Sequence, residues 1–330
     1  MKKVVFSMLF GMVLTLALPC AADARELVVG GQVVGIQVST EGVLVAGLAE
    51  VESPDGLRSP AADAGLKTGD MILQADGKSL ESAGDLIEAV RARQGQPTEL
   101  KLRREGQELY VSVTPARSPE GQWMLGMLLK DGVSGIGTVT YCDPDTGSYG
   151  ALGHSIHEGD EGPALPLEKG SITDAEVVSV TPGTAGVPGE LNGCSDQGRV
   201  LGSVEQNTEH GIYGTLYSFP GGRLVETGEL HPGPATILTT VSGRQVQEFR
   251  AQITRVYRDS AGEHVLLSIT DPALKAMTGG IVQGMSGSPV LQDGKLVAAV
   301  THVFVSDPTR GYGISIQDML RSAGMDEQAA

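Results

Sequence analysis

Apolar and polar positions alternate in short bursts along most of this chain. From Glu26, "ELVVGGQVVGIQVSTEGVLVAGLAEV" sets runs of valine, leucine and isoleucine between glycines and polar residues, the pattern of strands divided by turns. Ala61 to Gly65 then fits one short helix closed by glycine, Lys67-Thr68-Gly69-Asp70 a turn, Met71 to Ala75 a strand, and Asp76-Gly77 a tight hairpin turn. In "AGDLIEAVRARQG" the period lengthens: Leu86, Ile87 and Val90 fall at helical spacing, and Gly95 closes the helix. "TELKLRREGQELYVSVTP" returns to a hairpin around Glu105-Gly106.

From about Ser118 the rhythm changes. "GIGTVTYCD", "RVLGSVEQN", "GIYGTLYSF", "PATILTTVSG", "EFRAQITRVY" and "HVLLSIT" are short strands at close intervals, with "QDMLRSAG" the next helical stretch. This predicts a mainly β chain of two units, residues 26–115 and residues 118–330, the second an all-β barrel or sandwich.

The N-terminal residues follow neither pattern. Lys2 and Lys3 precede an apolar stretch from Val4 to Leu18, and Ala22-Asp23-Ala24 is a small-x-small cleavage site. Residues 1–24 therefore read as an export signal or an N-terminal anchor, and the mature chain as extracytoplasmic. Pro19 fits poorly before a lipidated Cys20. Cleavage after Ala24 leaves Cys142 and Cys194, which either pair or remain as two thiols; one pair is no disulfide framework. No Cys or His spacing resembles a zinc site, and no cofactor is expected. The formal charge of −16, with no lysine- or arginine-rich run, argues against nucleic acid and anionic membranes as partners.

The phrase "SPAADAGLKTGD", followed by Asp76-Gly77, resembles a bacterial PDZ domain over residues 26–115. Such a domain captures a partner's chain end as an added strand, with backbone amides taking the carboxylate. By that resemblance Val34, Gly35, Ile36, Gln37 and Val38 form the carboxylate loop; the plainer reading is that Gly35 bends a strand.

"GMSGSP", from Gly284 to Pro289, matches the G-x-S-G-[GS]-P nucleophile turn of trypsin-like serine peptidases. Glycines there let the chain curl so that the amides of Gly284 and Ser286 point together at a developing oxyanion. A serine hydroxyl also needs a base, and His154 in "YGALGHSIHEG" lies far upstream, in the order of a two-barrel peptidase. Without such a base the same hexapeptide is a Gly/Ser hairpin. His157, His210, His231 and His264 sit in polar or turn-like contexts and read as surface residues.

The region from Gly126 onward resembles the stage IV sporulation protein B serine peptidases. "GIGTVTYCDP", "YGALGHSI", "GPATILTTVSG", "GGIVQGMSGSP" and "VTHVFVSDPTRGYG" carry the resemblance, and the preceding PDZ unit and export signal fit it. It implies a PDZ domain followed by a trypsin-like double β-barrel. It also implies a signalling protease released between forespore and mother-cell membranes. There it would cleave a regulator of a membrane-embedded metalloprotease, leading to activation of a late sigma factor.

The family pattern assigns Ser286 as nucleophile, His154 as base and Asp271 as acid. Asp271 departs from the usual two-barrel order, in which Asp196 fits better, and Asp271-Pro272 also suits an ordinary turn opener. His302, one hairpin beyond the nucleophile, is placed either in a specificity pocket preferring an acidic or polar side chain, or as a packed strand histidine. The partners implied are a protein substrate and a peptide or chain end bound by the PDZ unit. The competing function is a non-catalytic PDZ-bearing adaptor that keeps the peptidase fold.

Overall fold

The computed structural model describes residues 25–157, 164–218 and 222–325, the side chain of Gln197 excepted. The expected export signal lies outside the described residues, and among them no helix is long and apolar enough to cross a membrane.

The chain enters the barrels at once. Strand β1 (Glu26–Val29) and the long β2 (Val33–Leu48) are followed by β3 (Val51–Ser53), β4 (Gly56–Arg58), α1 (Pro60–Asp63), β5 (Met71–Ala75), β6 (Lys78–Ser79) and α2 (Ala83–Ala92). Then come β7 (Thr98–Arg104), β8 (Gln107–Val113), β9 (Ala116–Arg117), β10 (Trp123–Met124) and a second long strand, β11 (Met127–Cys142). β2 and β11 pair antiparallel along almost their whole length, from Val33 opposite Thr138 to Leu48 opposite Met127. They form a ribbon from which the PDZ elements hang. On its other edge β2 pairs with β13 (Lys169–Thr181) through Val34 to Ser39 and with β5 through Val43 and Leu44. One strand thus serves two units.

The expected boundary at residues 26–115 therefore shifts. β1 and the first half of β2 belong to the barrels: Val28 faces Cys142 on β11, and Leu27 faces Val225 on β17 (Leu224–Glu226). The PDZ unit is an insertion carried at the far end of the β2–β11 ribbon. Nothing breaks the apolar pattern near Thr40, where the strand changes partners, so periodicity alone cannot reveal the handover.

Within the PDZ unit the expected hairpins and helix form. Ser82 caps α2 by accepting from the amide of Asp85, whose carboxylate accepts from the Ser82 amide in return. The "KTGD" turn has a concrete reason: Asp70, fully buried, accepts from the Lys67 amide and from Arg104 Nε and a terminal nitrogen at 2.6 and 2.7 Å. This bidentate pair fixes the turn to β7, and removing one partner would cost about 3–5 kcal/mol.

The remaining chain builds two barrels. β12 (Ser148–Ala151), β14 (Glu190–Val204), β15 (Gln206–Thr208) and β16 (Gly211–Thr215) join β11, β2 and β13. An isolated bridge from Gly202 to Leu216 brings β14 back against the end of β16, closing the first barrel. β18 (Gly233–Thr240), β19 (Val246–Arg258), β20 (Glu263–Ile269), β21 (Pro289–Gln292), β22 (Lys295–Phe304) and β23 (Asp307–Ser315) form the closed second barrel. α3 (Pro272–Thr278) follows β20, and α4 (Ile316–Ser322) follows β23. The architecture is mainly β, with the PDZ unit carried by two barrels. Cys142 is a buried thiol whose pKa burial raises to about 11, and Cys194 is an exposed one; they do not pair.

Candidate active site

The turn Gly284–Ser288 lies where the two barrels meet. Its shape is set by backbone bonds: Met285 N donates to Val282 O, Ser288 N to Met285 O, and Gly287 N to Val300 O. Strand β11 of the first barrel grips it from the other side. Thr138 N donates to Ser286 O at 3.0 Å, Thr138 Oγ1 to Gly284 O at 2.9 Å, and Thr140 Oγ1 to Gly287 O at 2.8 Å. A Cβ on Gly287 would sit 2.0 Å from Thr138 O, so no other residue fits this approach.

Two amides in this turn, Gly284 N and Ser286 N, have no acceptor among the described residues. A pair of unpaired amides flanking one serine is the donor set an oxyanion hole requires. The serine hydroxyl itself donates to Thr301 O on β22 at 2.7 Å. Ser288, by contrast, is fully buried, and its hydroxyl has no partner among the described residues. Of the two serines only Ser286 is reachable.

His154 follows a sharp bend at Leu152 and Gly153, both at positive φ, and Gly153 packs against Thr301 and Ile314. The imidazole is therefore seated beside the strand that receives the Ser286 hydroxyl. Its Nδ1 lies 2.8 Å from Ser155 O. A carbonyl only accepts, so Nδ1 carries the proton and Nε2 holds the lone pair, the tautomer a general base needs. Burial lowers the His154 pKa to about 4; the neighbouring His302 and then His157 push the same way, and the Ser155 carbonyl opposes them. His302 stacks at a tilt, its ring centroid 4.7 Å away, and its own pKa is lowered by burial and by His157.

A cavity of about 340 Å³ opens along this wall, lined by His154, His157, Thr301, His302, Tyr312 and also by His210, His264 and Glu209. His210 and His264, expected at the surface, instead face this cavity. Both ring nitrogens of His210 are engaged, by Ser322 Oγ and Ala261 O, and His264 Nε2 meets Asp259. His231 is an exposed residue paired with Asp293, as its turn-like context suggests.

Neither candidate acid is hydrogen-bonded to His154. Asp271 caps α3: its carboxylate accepts from Ala273 N at 2.8 Å and Arg250 N at 3.2 Å, and it faces Arg250 Nε. Those amides hold its pKa below the usual carboxylate range. The Asp-Pro helix opener is the role its surroundings display. Asp196 sits exposed on β14, accepting from Gly198 N. Among the described residues, the carboxylate on the His154 cavity wall is Glu209, in the β15–β16 turn, which nothing in the sequence marks.

The expected carboxylate loop is also displaced. Val34 to Val38 is paired on both edges, with β11 and with β13, and offers no edge to an added strand. Gly35 is glycine because a Cβ would lie 2.3 Å from Thr173 Oγ1 and 2.5 Å from Ser195 Cβ. The open cavity of the PDZ unit lies instead between α2 and the start of β11. There Leu86, Ile87 and Val90 face Trp123, Met127 and Leu129 around a cavity of about 370 Å³.

A family model described as SpoIVB peptidase S55 matches residues 121–320, and a PDZ domain model matches residues 57–104. Among curated proteins, a putative zinc metalloprotease of Bartonella henselae is 37% identical over 87 residues, 26% of this chain and 24% of that protein. A probable periplasmic serine endoprotease DegP-like of Halomonas elongata is 39% identical over 83 residues, 25% of this chain and 16% of that protein. The chain thus spans a quarter or less of those relatives. Among solved structures, the Rv3671c protease of M. tuberculosis in its active form is 12% identical, with a TM-score of 0.37. That match covers 60% of this chain and 76% of that one. The PDZ domain of an SdrC-like protein from Listeria monocytogenes is 22% identical, with a TM-score of 0.23, covering 28% of this chain and 90% of that one.

Proposed function

The chain belongs to the SpoIVB peptidase S55 family and is a serine endopeptidase; from that premise we propose that it is an extracytoplasmic signalling protease whose nucleophile is Ser286 and whose base is His154. The observation that carries the assignment is the pair of unpaired amides, Gly284 N and Ser286 N, around a reachable serine whose hydroxyl meets Thr301, a residue that lines one cavity with an imidazole in the base tautomer. In the resting state the hydroxyl rests on Thr301 O. A χ1 rotation, giving up one hydrogen bond worth about 1 kcal/mol, would turn it toward the open Nε2. Attack then moves the proton to Nε2 while the carbonyl oxygen takes up charge against the two amides.

His302, on the cavity wall and without a hydrogen-bond partner among the described residues, would meet a substrate side chain with acceptor character. The α2–β11 groove would recruit a protein partner by strand addition along β11. By family resemblance the substrate is a regulator of a membrane-embedded metalloprotease, cleaved between forespore and mother-cell membranes if the host forms spores. The direct test is incubation of the purified chain with the extracytoplasmic domain of such a regulator from the same organism. A discrete cut made by the wild type and absent with Ser286→Ala supports the role; an intact regulator beside a cleaved model peptide removes this substrate while leaving the peptidase reading standing.

A further inference from the structure

An oxyanion hole is only as good as the orientation of its peptide planes. In a trans peptide the N–H points opposite to the C=O of the same plane, so whatever holds the Gln283 carbonyl also aims the Gly284 amide. Here that carbonyl accepts from Leu191 N at 2.9 Å, while Gln283 N donates to Gly189 O at 2.9 Å. The last residue of the β13–β14 connection and the first two of β14 thus bracket Gln283 as a short parallel bridge. Of the two peptide planes that carry the unpaired amides, Met285–Ser286 is fixed inside the turn by Ser288 N donating to Met285 O, so Gln283–Gly284 is the one whose orientation depends on another segment.

Gly284 has φ +93° and no Cβ, so rotating its preceding peptide plane meets little steric resistance. A rotated plane would put the Gln283 carbonyl where the amide now points, presenting a partial negative charge to the developing oxyanion. The bracket is built to resist this. Leu191 is fully buried, and a Cβ at Gly189 would lie 2.3 Å from Gly183 N and 2.4 Å from Thr181 O, so the hairpin end has one tight packing. The same hairpin is tied to the second barrel, Gly183 N donating to Thr278 O and Gly186 N to Val305 O.

We propose that Gly189–Leu191 is a positioning segment of the peptidase, with the Leu191 amide holding the Gln283–Gly284 plane so that Gly284 N–H is presented to the oxyanion. The inference rests on Ser286 being the nucleophile. Its test replaces the Leu191 amide by an ester, incorporating the α-hydroxy analogue of leucine, beside Leu191→Pro as the harsher change. The readouts are kcat and KM on one peptide, affinity for the matching peptide aldehyde, whose hemiacetal oxygen needs the hole, and thermal melting. In the ester variant kcat should fall on the order of 100-fold, with KM within about threefold and aldehyde affinity falling in step with kcat. A folded ester variant with unchanged kcat, or one whose kcat falls while aldehyde affinity holds, overturns the proposal. A wild type that neither turns over peptide nor is labelled at Ser286 overturns the nucleophile assignment and this proposal with it.

Discussion

The low pKa of His154 makes a two-sided prediction about pH. An ordinary imidazole titrates near 6.5, whereas burial and two neighbouring imidazoles bring this one to about 4. Among the described residues the groups acting on it are His302, His157 and the Ser155 carbonyl, and Glu209 lines the same cavity. For activity, the base must be neutral, so kcat/KM should keep its full value down to about pH 5. At pH 5.5 an unperturbed imidazole would leave roughly a tenth of the enzyme competent; here nearly all of it remains so. For stability the sign follows from linkage. The unfolded chain binds the proton first as pH falls, so the stabilisation present above pH 6.5 is lost between 6.5 and about 4. A shift of this size amounts to a loss of about 2 kcal/mol by pH 5 and about 3 kcal/mol in all. His154→Gln should abolish that slope. The assay is urea unfolding followed by circular dichroism at pH 7.5 and pH 5, for wild type and variant, with the m-value checked for constancy. A kcat/KM profile falling below pH 7 with midpoint near 6.5, together with identical pH slopes in the two proteins, would refute the reasoning.

Three further outcomes are expected. Asp271→Asn keeps an acceptor for the α3 cap and should lower turnover less than tenfold, while Asp271→Ala should cost about 1 kcal/mol of stability; a ten-thousandfold loss in a fully folded Asp271→Asn would put this carboxylate on the base after all. Gly35→Val should destabilise the first barrel and lower peptidase activity with it, whereas Ile87→Asp should weaken peptide capture at an unchanged melting temperature. A folded, active Gly35→Val that no longer binds peptide would restore the original loop. His302→Ala should reduce the preference for a glutamate over a lysine substrate about tenfold, read as kcat/KM on paired peptides; an unchanged ratio removes His302 from recognition.

How far the sequence revealed this arrangement depended on whether a feature was local. The α2 helix, the Asp76-Gly77 and Glu105-Gly106 turns and the "GMSGSP" loop are set by neighbours in the chain, and each was legible. The PDZ boundary was not, because β2 runs through it with one continuous apolar pattern and changes only its partner. Gly35 looked like a ligand-approach glycine because the sequence cannot distinguish a backbone kept bare for a ligand from one kept bare for Thr173 and Ser195. The surroundings of His154 arise from strands far apart in sequence, so neither the placement of Glu209 nor the role of the Ser155 carbonyl had any signature. Asp271 drew attention through a family phrase, while its geometry is that of a helix cap.

The central claim is that Ser286 is the nucleophile and that its neighbour Ser288 is buried structure. The most direct measurement labels the purified chain with a fluorophosphonate and locates the adduct by peptide mass spectrometry, beside Ser286→Ala and Ser288→Ala. The account predicts one adduct per chain on Ser286, none in Ser286→Ala, and full labelling in Ser288→Ala, which should be as stable as the wild type or more so because an unsatisfied buried hydroxyl is gone. An adduct that persists in a folded Ser286→Ala, or that vanishes in Ser288→Ala, would contradict it.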